Sequence, residues 1–403
     1  MKLVVTEKND AAQQIARLLC TTGKPKADKV YDTPVYRFSH DGEDWVTIGL
    51  RGHIMRPDFP VELRYSKKDG WVGVTKEGEV LPARIPDNLA RPPYEKVRKP
   101  FTKEGVDVKG WKVASLPYLV WTPIQKEPAE KGIIRALKNL AKKADSIVIG
   151  TDFDREGELI GSDALRQMRE VAPDTPVSRA RYSAFTKAEI DHAFQNLVEL
   201  DQDLADAGES RQYIDLIWGA VLTRYLTMAR FGGFGNVRSA GRVQTPTLAL
   251  VVEKEREREA FVPEDYWIIS GQLAPQGNAD EDARFKVSHA TARFKDESAA
   301  KAAFERVRDA REATVTKVEK KSHTTRPPAP FNTTSLQAAA AAEGISPART
   351  MRLAESLYMD GLISYPRVDN TVYPKSLDLK EVVKALSAVP QYRPTCSTLL
   401  AGG

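Results

Sequence analysis

The segment Ile147-Val148-Ile149-Gly150-Thr151-Asp152-Phe153-Asp154-Arg155-Glu156-Gly157-Glu158 constrains this chain more than any other. A β-branched apolar run ends on a glycine, and carboxylates then recur at alternate positions. In an extended chain, residues two apart point to the same side. Asp152, Asp154 and Glu156 are therefore expected to converge at the carboxyl end of a buried strand, where α/β sheets present their sites. Carboxylates held that closely repel one another unless a cation compensates. Mg²⁺ is the natural candidate, since it takes oxygen ligands and prefers one or two carboxylates plus substrate phosphates. The plainer alternative is a solvated acidic turn at a helix N-terminus, which the helix dipole favours; the preceding strand and the three spaced carboxylates weigh against it.

The neighbouring sequence repeats the strand-then-helix rhythm. Lys2 to Thr6 reads as a short strand, and Asp10 as a cap for a helix carrying Ile15, Leu18 and Leu19. Val46 to Gly49 is a second strand leading into the turn Gly49-Leu50-Arg51-Gly52-His53. A helix is expected over 127–144, a strand over 146–150 and a helix over 158–171. Residues 56–130, rich in Pro, Gly and Trp, read as an irregular insertion. The pattern is that of an α/β domain with a largely parallel sheet. Glu7, ending the first strand, reaches the acidic cluster if the two strands are neighbours, and Lys8 then offers a cation to a phosphate.

With 403 residues the chain is long enough for two to four domains. Apolar residues at 41% and charged residues at 29% mark a globular chain. Two cysteines exclude a disulfide framework or a four-thiolate zinc site. The apolar run 216–222 is too short to span a bilayer. The start, reaching Glu7 and Asp10 at once, is not a secretory signal. A cytoplasmic protein is the expectation. Residues 186–259 read as mainly helical, interrupted by a glycine-rich loop over 232–241. Short strands around a helix (298–311) follow over 266–320, then the stiff Pro327-Pro328-Ala329-Pro330. Thr334 or Ser335 can cap an Ala-rich helix, and Ser346-Pro347 can start another that stops at Gly361.

Two further features concern chemistry. Between Asp215 and Glu253 there is no acidic residue, while Arg224, Arg230, Arg238 and Arg242 alternate with Tyr225, Phe231 and Phe234. Arginine with aromatics and glycines suits a single-stranded nucleic acid, and a solvated helix face is an equal alternative. The net charge of +5 permits such a partner. No GxxxxGK[ST] sequence is present, so the glycines make no Walker-type ATP site. Tyr365 follows the helix stop at Gly361, is pinned by Pro366 and lies two residues before Arg367. A phenol attacks a phosphodiester when cations neutralise the developing charge.

Glu7-Lys8, the run 151–158, Ser239-Ala240-Gly241-Arg242-Val243-Gln244-Thr245-Pro246 and the stretch 361–370 stand in an order that resembles the type IA DNA topoisomerases, on their topoisomerase III and archaeal topoisomerase I side. The resemblance runs from residue 1 to at least Pro374. It implies a Toprim α/β domain (1–178), a mainly helical DNA-binding segment (179–260), a β-rich arch segment (261–330) and a helical gate domain (331–403). It implies Tyr365 as the nucleophile of a 5′-phosphotyrosine link and Glu7, Asp152, Asp154 and Glu156 as the Mg²⁺ site. Glu7 is also implied as the acid for the leaving 3′-oxygen, with Lys8 and Arg367 on the scissile phosphate. His53, Arg211, Asp215 and Ser239, Ala240, Gly241, Arg242, Val243 and Gln244 resemble DNA contacts. Single-stranded or negatively supercoiled DNA would be the substrate, with no ATP and no membrane. Two departures stand out: Val368-Asp369-Asn370 replaces the usual Thr-Asp-Ser, and Glu355 stands where Gln is common. The sequence up to Gly403 lacks the rest of the gate domain and any zinc ribbon, so an amino-terminal fragment of such a ring is expected. The rival readings are a Toprim nuclease or phosphotransferase, and an inactive single-strand-binding remnant.

Overall fold

The structure, a computed structural model, describes residues 1–66, 68–86, 105–230, 234–277, 281–373 and 377–402. They divide into two compact units, one of Met1–Arg242 with Pro328–Gly403 and one of Val243–Pro327. Phe231, Gly232, Pro374 and Gly403, and the side chains of Arg230 and Phe234, lie outside the described residues.

In the first unit, β1 (Lys2–Thr6) leads into helix α1 (Asn9–Leu19), then β2 (Lys26–Val30), β3 (Thr33–His40) and β4 (Glu43–Gly49). Beyond an insertion come helix Lys131–Ala141, strand Ser146–Ile149, helix Arg155–Arg169 and strand Val177–Arg179. The last two strands join the first four in one six-stranded sheet. β1 lies between β4 and the 146–149 strand, parallel to both, with Val5 opposite Ile48 on one side and Ile149 on the other. That register brings Glu7 and the 150–154 loop to one carboxyl edge.

Alternation decides what each face of the sheet buries. Leu3, Val5, Ile147 and Ile149 pack against helices 131–141 and 155–169. Val4 and Val148 face the other way, onto α1, helix Lys187–Gln195 and Tyr358. Each fully buried aliphatic side chain contributes about 1.5–3 kcal/mol. Asp10 sits in the first turn of α1; Lys8 takes the cap position.

The insertion is more regular than expected. Strands 62–66, 70–74, 80–82 and 105–107 form an antiparallel sheet, and Met55–Asp58 pairs with Gln125–Pro128. These strands have three to five residues each and are interrupted by glycine and proline, too short for a clear period. The 127–144 helix begins only at Lys131, because Gln125–Pro128 is strand.

A long helix, Gln202–Tyr225, packs on helix 155–169. Helices Thr333–Ala342 and Pro347–Met359 follow the Pro-rich link, the first capped by Asn332 with Ser335 and not by Thr334. Gly361 ends the second with φ of 73°, and a Cβ there would meet the Phe185 carbonyl oxygen at 2.6 Å. The second unit holds helix Gln244–Ala260, the antiparallel pair Ser270–Leu273 and Phe285–Ser288, and helix Glu297–Val307. No described helix is long and apolar enough to cross a membrane.

Under the acidic loop lies a fully buried ion pair. Arg179 Nε donates to Glu158 Oε1 at 2.9 Å, and its guanidinium also donates to the carbonyls of Ile149, Ala180 and Asp152. Removing one partner of such a pair leaves a buried, uncompensated charge. Arg179→Met should therefore cost about 3–5 kcal/mol in chemical denaturation, and Arg179→Met/Glu158→Leu should recover the part due to the uncompensated carboxylate but not the part due to the three lost carbonyl hydrogen bonds. Equal losses for the single and double variants would contradict this account.

Candidate active site

Glu7 and Lys8 leave the end of β1, and Asp152 leaves the end of the 146–149 strand. The chain then turns into helix at Arg155, with Asp154 as its cap: Gly157 N donates to Asp154 Oδ1 at 2.8 Å. The close turn demands Gly157, since a Cβ would sit 2.0 Å from the Asp152 carbonyl oxygen.

Tyr365 reaches this edge from a distant part of the chain. Its N–H donates to the Ser183 carbonyl at 2.8 Å, and its hydroxyl donates to Asp154 Oδ2 at 2.6 Å. Tyr358, on helix 347–359, lies beneath, its ring edge-on to Tyr365 at 5.2 Å and its hydroxyl 3.4 Å from Asp152 Oδ1. Glu355 on the same helix pairs with Lys8 and, at 3.6 Å, with Arg367. Glu7, Lys8, Asp152, Glu355, Tyr365 and Arg367 thus enclose one cavity. It holds about 10 Å³, the room of one water, so a phosphodiester enters only when the walls part.

The electrostatics follow from burial. Burial raises the Glu7 carboxyl to about 7, Asp152 and Asp154 adding to the rise and Lys8 opposing it. Burial also raises Asp152, against the pull of Lys8. Tyr365 is raised well above the ordinary phenol by burial, by the Asp152 charge and by its hydrogen bond to Asp154. The hydrogen bond from Lys8 lowers Glu355, which keeps it an anion between two cations. Lys8 loses charge preference to burial but regains more from Glu355 and Glu7.

Glu156 does not join Glu7 and Asp152. The alternation argument assumes extended chain, and helix begins one residue earlier. Its carboxylate instead meets His53 Nε2 at 3.1 Å and Arg211 at 2.9 Å. Among the described residues no three of His, Cys, Asp and Glu form a ready ligand set. Asp154 is occupied by Gly157 and Tyr365, which leaves the partly buried Glu7 and the buried Asp152, two mutually repelling carboxylates. That donor set fits a hard cation that takes its remaining ligands from substrate phosphate and water.

The other expected DNA contacts form a polar chain. Gln212 Nε2 lies 3.2 Å from His53 Nδ1, and Arg242 makes a two-pronged contact with Asp215 at 2.7 and 3.2 Å. Ala240 N donates to Thr223 Oγ1 at 3.0 Å. Ser239, Gly241 and Arg242 belong to the first unit, whereas Val243 and Gln244 begin the second. Arg224 is not available to a strand: it donates to the Val108 carbonyl at 2.8 Å and packs between Phe59 and Trp111. Sequence reasoning missed Arg179, Glu158 and Tyr358. Nothing in the local pattern around Tyr358 marked it, because its contact with Asp152 spans 206 residues.

Residues 2–185 match the Toprim domain, and residues 199–402 match the family described as DNA topoisomerase. The chain is 37% identical over 387 residues to DNA topoisomerase 1 of Thermoplasma acidophilum, covering 96% of this chain and 43% of that protein. It is 36% identical to DNA topoisomerase 1 of Archaeoglobus fulgidus, covering 96% and 49%. It spans about half the length of these curated relatives or less. The solved full-length topoisomerase I of Thermotoga maritima shares the fold, with a TM-score of 0.61 at 23% identity, over 96% of this chain and 52% of that one.

The raised Glu7 carboxyl has a sign. A carboxyl whose folded value lies above its unfolded 4.5 stabilises the fold in its neutral form, and that contribution disappears as pH rises through about 7. In chelating buffer, the melting temperature of the chain relative to Glu7→Gln should therefore fall between about pH 5 and pH 8. A difference that is flat or rising with pH would show that Glu7 is not held neutral by its burial.

Proposed function

This chain belongs to the type IA DNA topoisomerases, and we propose that it carries their cleavage chemistry: ATP-independent opening of one DNA strand through a 5′-phosphotyrosine link, followed by resealing. In the whole protein this would relax negatively supercoiled DNA by passing one strand through another, in the cytoplasm. The observation that carries the reading is the Tyr365 hydroxyl on Asp154, 211 residues away. We propose the four-part division (1–178, 179–260, 261–330, 331–403) as the arrangement behind it.

Tyr365 Oη would attack phosphorus, forming the Oη–P bond while the bond to the 3′-oxygen breaks. Its proton passes to Asp154, which already accepts that hydrogen bond. Neutral Glu7, populated near pH 7, gives a proton to the departing 3′-oxygen. Lys8 and Arg367, now paired with Glu355, would exchange it for the phosphate oxygens. Resealing is the reverse, so bond energy is conserved and no nucleotide is consumed. Toprim domains bind metal in general. Glu7, when ionised, and Asp152 would hold Mg²⁺, which supplies charge neutralisation at the phosphate. Asp154 would join them once Tyr365 has left it and the proton it accepted has passed to solvent.

A 3′-labelled single-stranded oligonucleotide tests the reading, because a 5′-phosphotyrosine link retains the 3′-side fragment. After an SDS quench, label should migrate with the protein, and Tyr365→Phe should abolish it. Shortened oligonucleotide that is free of protein in both the chain and the variant would establish nuclease chemistry instead.

A further inference from the structure

Away from the tyrosine, helix 131–141 presents a second surface. Its apolar residues Ile133, Ile134, Leu137 and Leu140 pack on the sheet face opposite to Val4, Val148 and Tyr358. Its outward side carries Lys131, Arg135, Lys138 and, one residue past the helix, Lys142, spaced by four, three and four. At that spacing they form one row, each about one turn from the next. A groove of about 430 Å³ runs along the row, and no carboxylate lines it. Glu170 pairs with Lys138 at 2.7 Å, while no described carboxylate pairs with Lys131, Arg135 or Lys142. By contrast, Lys8 and Arg367 beside Tyr365 are matched to Glu355, Arg211 to Glu156 and Arg242 to Asp215.

The groove also has an aromatic. Tyr31 sits at the β2–β3 turn with φ of 53°, half exposed, and the Arg135 guanidinium lies 4.0 Å from its ring centre. One ring face is thus covered by a cation while the side chain still opens to solvent. A row of cations, three of them without a carboxylate partner among the described residues, repels any neighbouring cation and attracts a polyanion. The added aromatic platform is what single-stranded nucleic acid uses, its bases stacking while its phosphates meet the cations.

We propose that this groove, lined by Tyr31, Lys131, Arg135, Lys138 and Lys142, is a second binding site for the sugar–phosphate backbone of single-stranded DNA, outside the cleavage site. It rests on DNA being the substrate of Tyr365. Its role is to hold strand beyond the segment that reaches the tyrosine, so it matters for long substrates and not for short ones.

The test uses the full chain and the variant Lys131→Glu/Arg135→Glu/Lys142→Glu, with Tyr31→Ala as a second variant. All four side chains are exposed, and melting temperatures confirm folding. Binding of a long single strand, a short oligonucleotide and a duplex is measured against salt concentration. Three lost phosphate contacts should weaken binding of the long strand about tenfold or more and make its log–log salt slope shallower by about 2. Tyr31→Ala should weaken the long single strand and spare the duplex. Adduct yield on the short oligonucleotide should not change. An unaltered slope for the long strand overturns the proposal. Equal losses for duplex and single strand, with no effect of Tyr31→Ala, overturn its single-strand form. If the unaltered chain forms no adduct, the cleavage reading fails while the salt slopes still decide this one.

Discussion

The placement of the acidic loop depends on Arg179. From strand 177–179, next to the 146–149 strand, its guanidinium spans Glu158 and the carbonyls of Ile149 and Asp152. One side chain thus ties together the end of the strand, the loop and the first turns of the following helix. A buried ion pair adds little net stability over apolar residues of the same size. Its value here is orientation, because the Asp152 carbonyl is held against Arg179 on one side and Gly157 on the other. With the carbonyl so placed, Asp152 and Asp154 have few ways to lie.

Residues 355–367 meet this loop through packing and charge together. Gly361 turns the chain where a side chain would strike the Phe185 carbonyl, and Tyr358 fills the space between Phe185 and Tyr365. Glu355 then neutralises Lys8 and Arg367, the cations best placed for a phosphate. The arrangement is assembled yet shut: the Tyr365 hydroxyl, the carboxylates and the cations are within reach of one another around a water-sized cavity. Opening it separates ion pairs that are partly exposed and therefore weak.

Charge along the chain is a poor guide to charge that is free to bind. The acid-free run after Asp215 looks like the basic surface of the molecule, yet Arg224 is spent on the insertion and Arg242 on Asp215. Among the described residues Lys131 and Arg135 on helix 131–141, and Lys142 just past it, have no carboxylate partner, although the sequence of that helix is an ordinary amphipathic pattern. Counting residues cannot distinguish the two cases, because the Val108 carbonyl that holds Arg224 and the Asp215 carboxylate that pairs with Arg242 come from earlier in the chain.

The sequence alone determined the strand-and-helix rhythm, since alternation and helical periodicity are local consequences of which faces are buried. It also offered the candidate chemistry: Asp152, Asp154 and Tyr365 stood out by their neighbours within a few residues, whereas Glu7 counted only through its expected pairing with the Asp152 cluster. The tertiary structure decided what depends on contacts between distant residues. It placed Tyr365 on Asp154 and paired Glu355 with Lys8. It turned Glu156 away from the cluster toward His53 and Arg211, because helix starts at Arg155 and breaks the two-residue alternation. The insertion also escaped sequence reading, as strands of three to five residues gain their stability from pairing across the sheet and not from their own pattern. Local pattern sets which residues are buried or chemically apt; only long-range packing sets which of them touch.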